Sequence, residues 1–450
     1  MSLGGGGGGL SGDKGLKLSL ADTFRLAWAD PDLRQRLLFV LMIFGVYALG
    51  IQVQVPVPGF SVEALDRLVE NNPFFMLVTT LGGGAIKKLS IFSLSLGPYI
   101  SASIIMQVLT MTTPKWKKEL QEGGEYARRQ QNKRTRVLTI VLCVMQSLAV
   151  LQYMGAEVTG TLSAWDKATI VIFWTCGAMF LLWLGEQVSE RGIGNGVSLL
   201  IFAGIVISLP GVGALIYKSV VVDQIATWVQ VGIVVAVFLA ATWFIVMFTI
   251  AQRRIPIQHM RRNFGTQALG GKTSYLPISV NMAGVIPVIF AIALIYMPSQ
   301  LQVLFPQGSA EAGFFERVGR YFQPDFTVWQ GYIGALVYMA LIFFFTYFWN
   351  AMMYNVEDIA NNLKKAGSYI PGVRPGKQTK EFLDRVVSNV TFVGALFLSI
   401  VALTQFIFPL IIRIQNLGLI GGTSLLIMVS VALETMRQIE ASILIKQYEA

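Results

Sequence analysis

Few residues in this chain of 450 have the types and spacing of a reactive or ligand-binding site. The run Gly265–Thr273 resembles a phosphate-binding loop, in which backbone N–H groups and one lysine hold the phosphates. One residue too many separates Gly265 from Lys272, and the run lies between two apolar segments rather than between a strand and a helix. We therefore expect no nucleotide site here, and any energy from ATP must come from a partner.

Two further patterns have a structural interpretation beside a functional one. Glu186 and Glu190 are four residues apart and could form a carboxylate pair for acid–base chemistry. They stand at a helix end beside Arg191, which favours a solvated or ion-paired arrangement. The run Gly192–Gly196 faintly resembles a dinucleotide loop, but a tight turn with glycine at positive φ is the favoured interpretation.

Metal and thiol chemistry have little support. Cys143 and Cys176 both lie in apolar runs, and their spacing suits neither a disulfide framework nor a metal site. His259 is the only histidine and lies in a basic loop, where we expect it to be solvated. The sequence thus predicts no catalytic residue, no metal site and no cofactor.

The composition is that of an integral membrane protein. Hydrophobic residues make up 54% of the chain and charged residues 13%, with a mean hydropathy of +0.60, whereas a soluble domain carries more charge. Charge-free apolar runs of about 17 or more residues predict ten membrane-spanning helices, since a helix satisfies its own backbone in lipid. They lie at 37–55, 94–112, 137–155, 168–185, 196–217, 224–251, 276–304, 329–353, 390–412 and 417–433.

The distribution of charge predicts the orientation of these spans. If the N-terminus is cytosolic, the cytosolic segments hold 27 of the 35 Lys and Arg residues, as the positive-inside rule requires. Both termini are therefore expected in the cytosol. The net charge of +10 is a topology signal that does not require nucleic-acid binding, although a basic cytosolic face would suit an anionic partner.

One apolar stretch, residues 71–93, fits none of the ten spans. Its apolar part, Pro73–Leu81, is too short to cross a bilayer and is followed by Gly82–Gly84 and two lysines. A re-entrant half-helix on the outer side is the favoured prediction, and such a segment must be buried in protein or line a cavity. An interfacial surface helix is the alternative.

A repeat divides the ten spans into two sets of five, the second inverted relative to the first. The run Pro98–Ile100 is matched by Pro287–Ile289, and Ser198–Ile201 by Ser424–Ile427. Proline breaks or bends a helix, so these positions predict interrupted helices at a central site.

The predicted central site is apolar. Ile100 and Ile104 share one helix face, and with Ile201, Ile289 and Ile427 they could form a ring at mid-membrane. Such a constriction would exclude ions by dewetting and could part around a passing chain. Ordinary helix packing is the other interpretation of these isoleucines.

Two other functional classes compete with a channel. A secondary transporter would also fit inverted halves with broken helices, but it needs a compact polar or charged pocket at mid-membrane. An intramembrane enzyme needs a catalytic dyad or metal ligands inside a span. The ten spans offer neither.

Several long motifs occur along the chain in one order. These are Ser90–Phe92 with Gly97–Ile105, Trp183–Gln187 with Glu190–Gly196, Asn281–Pro287, Asn361–Lys365 with Pro371–Gly376, and Gly421–Leu426. Through these motifs the sequence, from about residue 20 to the C-terminus, resembles the SecY family of bacterial protein-conducting channels.

The resemblance implies an all-α integral membrane fold, with ten transmembrane helices in two pseudo-symmetric inverted five-helix halves around an hourglass pore. The halves would be residues 21–217 and 218–436, between a flexible tail, 1–20, and a cytosolic C-terminal tail, 437–450. The implied function is to pass unfolded secretory proteins across the bacterial inner membrane and to release transmembrane segments into lipid. Signal sequences and nascent chains would be the substrates, and a partner motor or the ribosome would drive the process.

The resemblance also assigns residues and partners. The pore ring would be the five isoleucines named above. A plug at about 72–88 would include Asn72, Pro73, Phe74, Phe75, Leu77, Leu81, Gly82 and Gly83. The second and seventh spans would form a lateral gate containing Gln107, Gln146 and Asn281. Loops 252–275 and 354–389 would dock the SecA ATPase motor or the ribosome through Arg253, Arg254 and Arg374, while SecE and SecG would be further subunits.

Two features depart from the family pattern. Many relatives carry an Asn and a Phe-Ser before the plug glycines, where this chain has Leu77–Leu81. The packing of the plug is the property that this difference affects. The glycine-rich start, Gly4–Gly9, is also not a family feature.

Overall fold

Helices account for most of the chain that the computed structural model describes, which comprises residues 20–56, 78–153, 162–222, 227–259, 273–302, 305, 309–326, 328–411 and 421–449. The helices are α1 (Leu20–Ala29), α2 (Pro31–Gln52), α3 (Gly97–Thr112), α4 (Pro114–Glu122), α5 (Gly124–Tyr153), α6 (Ala164–Arg191), α7 (Gly196–Tyr217), α8 (Trp228–Ile250), α9 (Ile286–Ile295), α10 (Met297–Gln302), α11 (Ala310–Phe322), α12 (Trp329–Met353), α13 (Val356–Lys365), α14 (Lys377–Ile411) and α15 (Gly422–Glu449). The strands are β1 (Gln252–His259), β2 (Thr273–Ser279) and β3 (Ser368–Tyr369).

Each of the ten predicted spans overlaps one helix of this bundle or, for 276–304, two consecutive helices, and residues 417–420 of the last span lie outside the described residues. Within the described residues, seven helices are long and apolar enough to cross a membrane, namely α2, α5, α6, α7, α8, α12 and α14. The remaining three spans correspond to α3, to α9 with α10, and to the apolar first half of α15. The spans thus form an all-α membrane fold. β1 and β3 lie outside the predicted spans, whereas β2 overlaps the start of 276–304.

Two of the spans begin at proline. Pro98 and Pro287 occupy the first turns of α3 and α9, where the missing N–H group is no loss. The prediction of one helix over 276–304 was wrong at its start. Residues up to Ser279 belong to β2 and α9 begins only at Ile286, because Gly284 has φ +64° and the Pro287 ring would clash with a preceding helical turn.

The segment before α3 is irregular but buried. One helical turn, 78–81, is followed by a turn in which Gly83 and Gly84 have positive φ, and then by a 3₁₀-helix, Ala85–Lys88. The Val55 N–H donates to Leu89 O at 3.0 Å, which ties this segment to the end of α2. Such satisfied backbone groups are what an irregular segment needs at membrane depth. The predicted half-helix therefore reduces, in its described part, to a single turn.

Two apolar cores meet in the middle of the bundle. One is built by α2, α6 and α7 with the start of α15, and includes Ile201 and Ile427. The other is built by α8, α9, α12 and α14, again with α15. Leu81, Ile100 and Val285 pack against both cores. These side chains and α15 therefore contribute to the contact between the two halves, as does Ile104 of α3, which is buried in the second core.

The end of α15 is fastened to the start of the chain. Lys446 Nζ lies 2.8 Å from a carboxylate oxygen of Asp30 and 2.8 Å from one of Asp32. The hydrogen bond from Lys446 holds the pKa of the Asp30 carboxyl below its usual range. The segment predicted as a C-terminal tail, 437–450, continues α15 as far as Glu449.

A small sheet in the order β2-β1-β3 joins the two predicted docking loops. β1 pairs antiparallel with β2 along seven residue pairs, and Gln258 pairs with Tyr369 of β3. Ile255, Ile278 and Ile370 are buried beneath the sheet in one cluster with residues of α13 and α14. The sequence analysis predicted no strands here.

Candidate constriction between the two halves

A cavity of about 20 Å³ lies where the two cores meet. Its walls come from the helical turn at 78–81 and from four helices, α3, α7, α9 and α15. The lining residues are Leu81, Ile100, Ile201, Ile289, Ile292, Thr423 and Ile427. Four of the five isoleucines predicted to form a ring therefore share one cavity.

The fifth predicted isoleucine, Ile104, lies elsewhere. It is buried one turn further along α3, in the apolar cluster that includes Val288 and Ile295, and does not line the cavity. Ile292 takes a place that the sequence analysis missed. It is three residues from Ile289 on α9, and this spacing was a usable signal because such positions share a helix face.

The cavity wall is almost entirely hydrocarbon. None of the seven lining residues is charged, and Thr423 is the single polar one. The Thr423 hydroxyl donates to Gln405 Oε1 at 2.7 Å, so it already has a protein partner. A cavity of this size can hold one water, but a buried water needs two or more polar partners. The closed cavity is therefore expected to be dry.

The helical turn at 78–81, which belongs to the predicted plug, lines the cavity through Leu81. The turn packs tightly on α7, because a Cβ atom at Gly204 would lie 2.2 Å from Leu81 O. Gly82 and Gly83 are buried in this turn. The other predicted plug residues, Asn72, Pro73, Phe74, Phe75 and Leu77, lie outside the described residues.

A wide polar vestibule of about 580 Å³ lies on another side of the constriction. Val197 lines the vestibule and Ile201 the constriction, and the two are about 6 Å apart along the α7 axis at 1.5 Å per residue. On α15, Glu434 lines the vestibule and Ile427 the constriction. A polar funnel therefore leads to an apolar waist.

The vestibule contains two of the motifs considered for chemistry. Glu186 forms an ion pair with Arg136 at 2.7 Å, which confirms an ion-paired glutamate, although its partner is not the neighbouring Arg191. Gly194 has φ +95° in the turn before α7, as the turn interpretation predicted. Of the run that resembles a phosphate-binding loop, residues 265–272 lie outside the described residues. His259 is the last residue of β1.

A second cavity, of about 100 Å³, opens between α3, α5 and α9 beside the constriction. Gln146 lines it together with Ile100 and Ile289. The other two predicted gate residues do not line it. Gln107 donates to Ser103 Oγ at 3.3 Å, while its Oε1 and both polar atoms of Asn281 are buried without a partner among the described residues.

The unpaired polar atoms belong to Gln107 on α3 and to Asn281 in the segment before α9. A buried polar atom without a partner costs about 1–3 kcal/mol. α3 packs mainly on α5, and α9 mainly on α12. The second cavity lies along the boundary between α3 and α9, which we call the seam, and the two helices also share the apolar cluster that contains Ile104, Val288 and Ile295.

The three predicted docking arginines lie on neighbouring loops. Arg253 and Arg254 are exposed on β1, and Arg374 is exposed in the turn after β3. None of the three forms an ion pair within the part of the chain that the structure describes. Ile255 and Val373, their sequence neighbours, pack in the same apolar cluster.

Comparisons with known proteins agree with this arrangement. A solved structure titled "The structure of a protein conducting channel" matches with a TM-score of 0.61 at 21% identity, over 90% of this chain and 91% of that one. One titled "Sec61 in the Canine ribosome-channel complex from the endoplasmic reticulum" matches with a TM-score of 0.58 at 19% identity, again over 90% and 91%. The fold is therefore that of protein-conducting channels.

The sequence defines the family. The SecY family model matches residues 90–436. Protein translocase subunit SecY of Halalkalibacterium halodurans is 39% identical over 445 residues, 96% of this chain and 98% of the relative. The corresponding subunit of Staphylococcus carnosus is 37% identical over 436 residues, 95% and 98% of the two chains. The chain belongs to the SecY family and is a channel subunit rather than an enzyme.

Proposed function

We propose that this chain forms the passage for unfolded polypeptide across the bacterial inner membrane, with the isoleucine-lined cavity as its constriction. The observation that carries the proposal is the small apolar cavity between the two halves, with Leu81 on one side and a polar vestibule on another. A polypeptide would enter from the vestibule and displace the plug segment.

The constriction works because it binds nothing. An ion would lose its hydration shell there and gain no polar partner, so the free-energy cost keeps the closed channel sealed. A translocating chain replaces one set of van der Waals contacts by another as it moves. Aliphatic side chains from separate helices can move apart independently, which lets residues of any chemistry pass.

The seam between α3 and α9 is proposed as the lateral gate. Signal sequences and transmembrane segments would leave through it into lipid. The unpaired polar atoms of Gln107 and Asn281 support this role, because they lower the cost of parting the two helices. Gln146 in the neighbouring cavity would contact the departing segment.

The exposed arginines are proposed as the docking surface for the driving partner. Arg253, Arg254 and Arg374 present cations that form no ion pair with other described residues, on or beside the three-stranded sheet, and such a surface suits an acidic partner or the ribosome. SecA is the proposed motor, and SecE and SecG are the proposed further subunits. The charge distribution supports a cytosolic position for these loops and for both termini.

Deleting residues 72–88 from the reconstituted channel tests the function. We expect large, fluctuating conductance in planar bilayers, because the deletion removes Leu81 from the constriction. The intact chain is expected to be silent. Deletion of Gly4–Gly9, remote in sequence from the plug, serves as the control and should also leave the bilayer silent. A silent bilayer with the 72–88 deletion would favour a transporter over a channel.

A further inference from the structure

Gln405 on α14 makes the one contact that satisfies the polar group of the constriction. We propose that Gln405 is a positioning residue that keeps the closed channel dry, because it holds the Thr423 hydroxyl away from the passage. The proposal rests on the function proposed above, since it requires the isoleucine-lined cavity to be the constriction. Gln405 itself does not line that cavity.

The geometry directs the hydroxyl out of the passage. Thr423 Oγ1 donates to Gln405 Oε1 at 2.7 Å, and both residues are buried, with 4% and 8% of their surfaces exposed. Because the hydroxyl points to a residue outside the cavity wall, the hydrocarbon part of Thr423 is left to face the cavity. Thr423 then behaves toward the passage as a valine would.

Close backbone packing fixes this contact. α15 begins at Gly422, which has φ +54°, and a Cβ atom there would lie 2.8 Å from Gln405 Cβ and 3.1 Å from Gln405 N. Only glycine allows the start of α15 to approach α14 this closely. The distance between Thr423 and Gln405 is therefore set by the two helices rather than by flexible side chains.

The Thr423 hydroxyl needs Gln405 as its acceptor, because Thr423 lies too early in its helix to donate to a carbonyl one turn before it. Buried hydroxyls elsewhere in the bundle donate to the carbonyl four residues earlier in their own helix, as Thr110 does to Met106 O and Thr346 to Ile342 O. Thr423 is the second residue of α15, so its helix supplies no such carbonyl. Without Gln405, the hydroxyl has no other protein partner among the described residues, so it is free to turn toward the cavity and lower the free-energy cost of wetting it.

Gln405 gains little for its own stability from this arrangement. Its Nε2 is buried and has no hydrogen-bond partner among the described residues. An apolar side chain of the same length would avoid that unpaired group. The amide is thus explained by what it does for Thr423.

The test is a double-mutant cycle in which ion leak through the intact, reconstituted channel is measured. Gln405→Met keeps the length of the side chain but removes the acceptor, and we expect resting ion permeability to rise at least about fivefold, since a buried hydroxyl loses its protein partner. Thr423→Val, which removes the hydroxyl, supplies the reference leak for the cycle. The double variant Gln405→Met with Thr423→Val should leak no more than Thr423→Val alone, because no hydroxyl remains to wet the cavity.

The rescue by Thr423→Val is the decisive result. If the double variant leaks as much as Gln405→Met alone, the hydroxyl is not the cause and the proposal is overturned. If Gln405→Met stays tight while Ile427→Asn leaks, the proposal fails but the constriction stands. If Ile427→Asn is also tight, the assigned constriction itself is wrong. Should Gln405→Met reduce the amount of channel in the membrane, Gln405→Asn, whose amide is one methylene shorter, carries the same expectations.

Discussion

The side chain of Ile427 shows how one residue acts in the constriction. It lies on α15 one turn beyond Thr423, is 4% exposed, and lines the cavity opposite the plug segment. Its packing belongs to the core built by α2, α6 and α7. An aliphatic group at this position therefore joins the two halves and excludes water from the waist.

Replacing Ile427 by Asn should open the seal without removing the fold. A buried amide without a partner costs roughly 1–3 kcal/mol, which hydration of the cavity would recover, so the wet state gains population. We expect resting ion leak to rise by about tenfold and defective signal sequences to be accepted more readily. Ion flux from proteoliposomes and export of precursors with weakened signals would measure the two effects.

Ile427→Leu is the matched control for that variant. It preserves volume and hydrophobicity, so leak and signal stringency should remain near those of the unaltered chain. Equal behaviour of the Asn and Leu variants would remove Ile427 from the constriction.

Sequence reasoning named four of the seven residues that line the cavity as members of a ring and predicted that the site would be apolar. Ile100, Ile201, Ile289 and Ile427 could be named from a short repeat and a family resemblance. Ile104 was also predicted for this site, but it lies one helical turn beyond the cavity wall. Residue spacing alone does not reveal at which turn a helix comes closest to its neighbours. The Gln405–Thr423 contact could not be anticipated, since it joins two helices through packing at Gly422.

The three-stranded sheet is the element that was not predicted from the sequence. β1 and β2 contain Pro256 and Pro277, and β1 carries two adjacent arginines, which are unfavourable signals for strands. Both show the inward alternation of a strand over only two positions each, which are Ile255 and Ile257 on β1 and Leu276 and Ile278 on β2. By pairing with β3, the hairpin joins two loops that are about a hundred residues apart in sequence.

Arg374→Glu tests the docking role of these loops. Reversing the charge should repel an acidic partner surface, so motor-driven secretion should fall by at least about tenfold, the range seen for interface charges. Copurification with SecE should be unchanged, because Arg374 is exposed and lies outside the ten spans. Precursor import into inverted membrane vesicles is the assay.

Arg385→Glu provides the same charge change on the same loop. It is exposed at the start of α14 and is not one of the proposed contacts. Secretion by this variant should stay within about twofold of normal, as expected for a surface charge outside an interface. Normal secretion by the Arg374 variant would refute the docking role.

At the scale of the whole molecule, the fold is organised around two apolar cores that meet at one boundary. The helical membrane fold could be predicted from composition, because lipid imposes helices, and the cytosolic position of both termini stays a prediction from the charges. The way in which the two halves face one another could not be predicted from composition. The residues that join them, such as Leu81 and Val285, lie in irregular segments. Tertiary packing decides those positions.

The central claim is that polypeptide passes between the two halves at the isoleucine-lined cavity. A precursor arrested during translocation and carrying a single cysteine would report its path by disulfide formation. The channel would carry Ile289→Cys, with Cys143 and Cys176 replaced by alanine. Leu239→Cys is the control, because Leu239 is 61% exposed on α8 and faces away from the core.

We predict a disulfide between the precursor and the Ile289→Cys channel, and none with the Leu239→Cys channel. A precursor that is crosslinked at position 239 but not at position 289 would contradict the account.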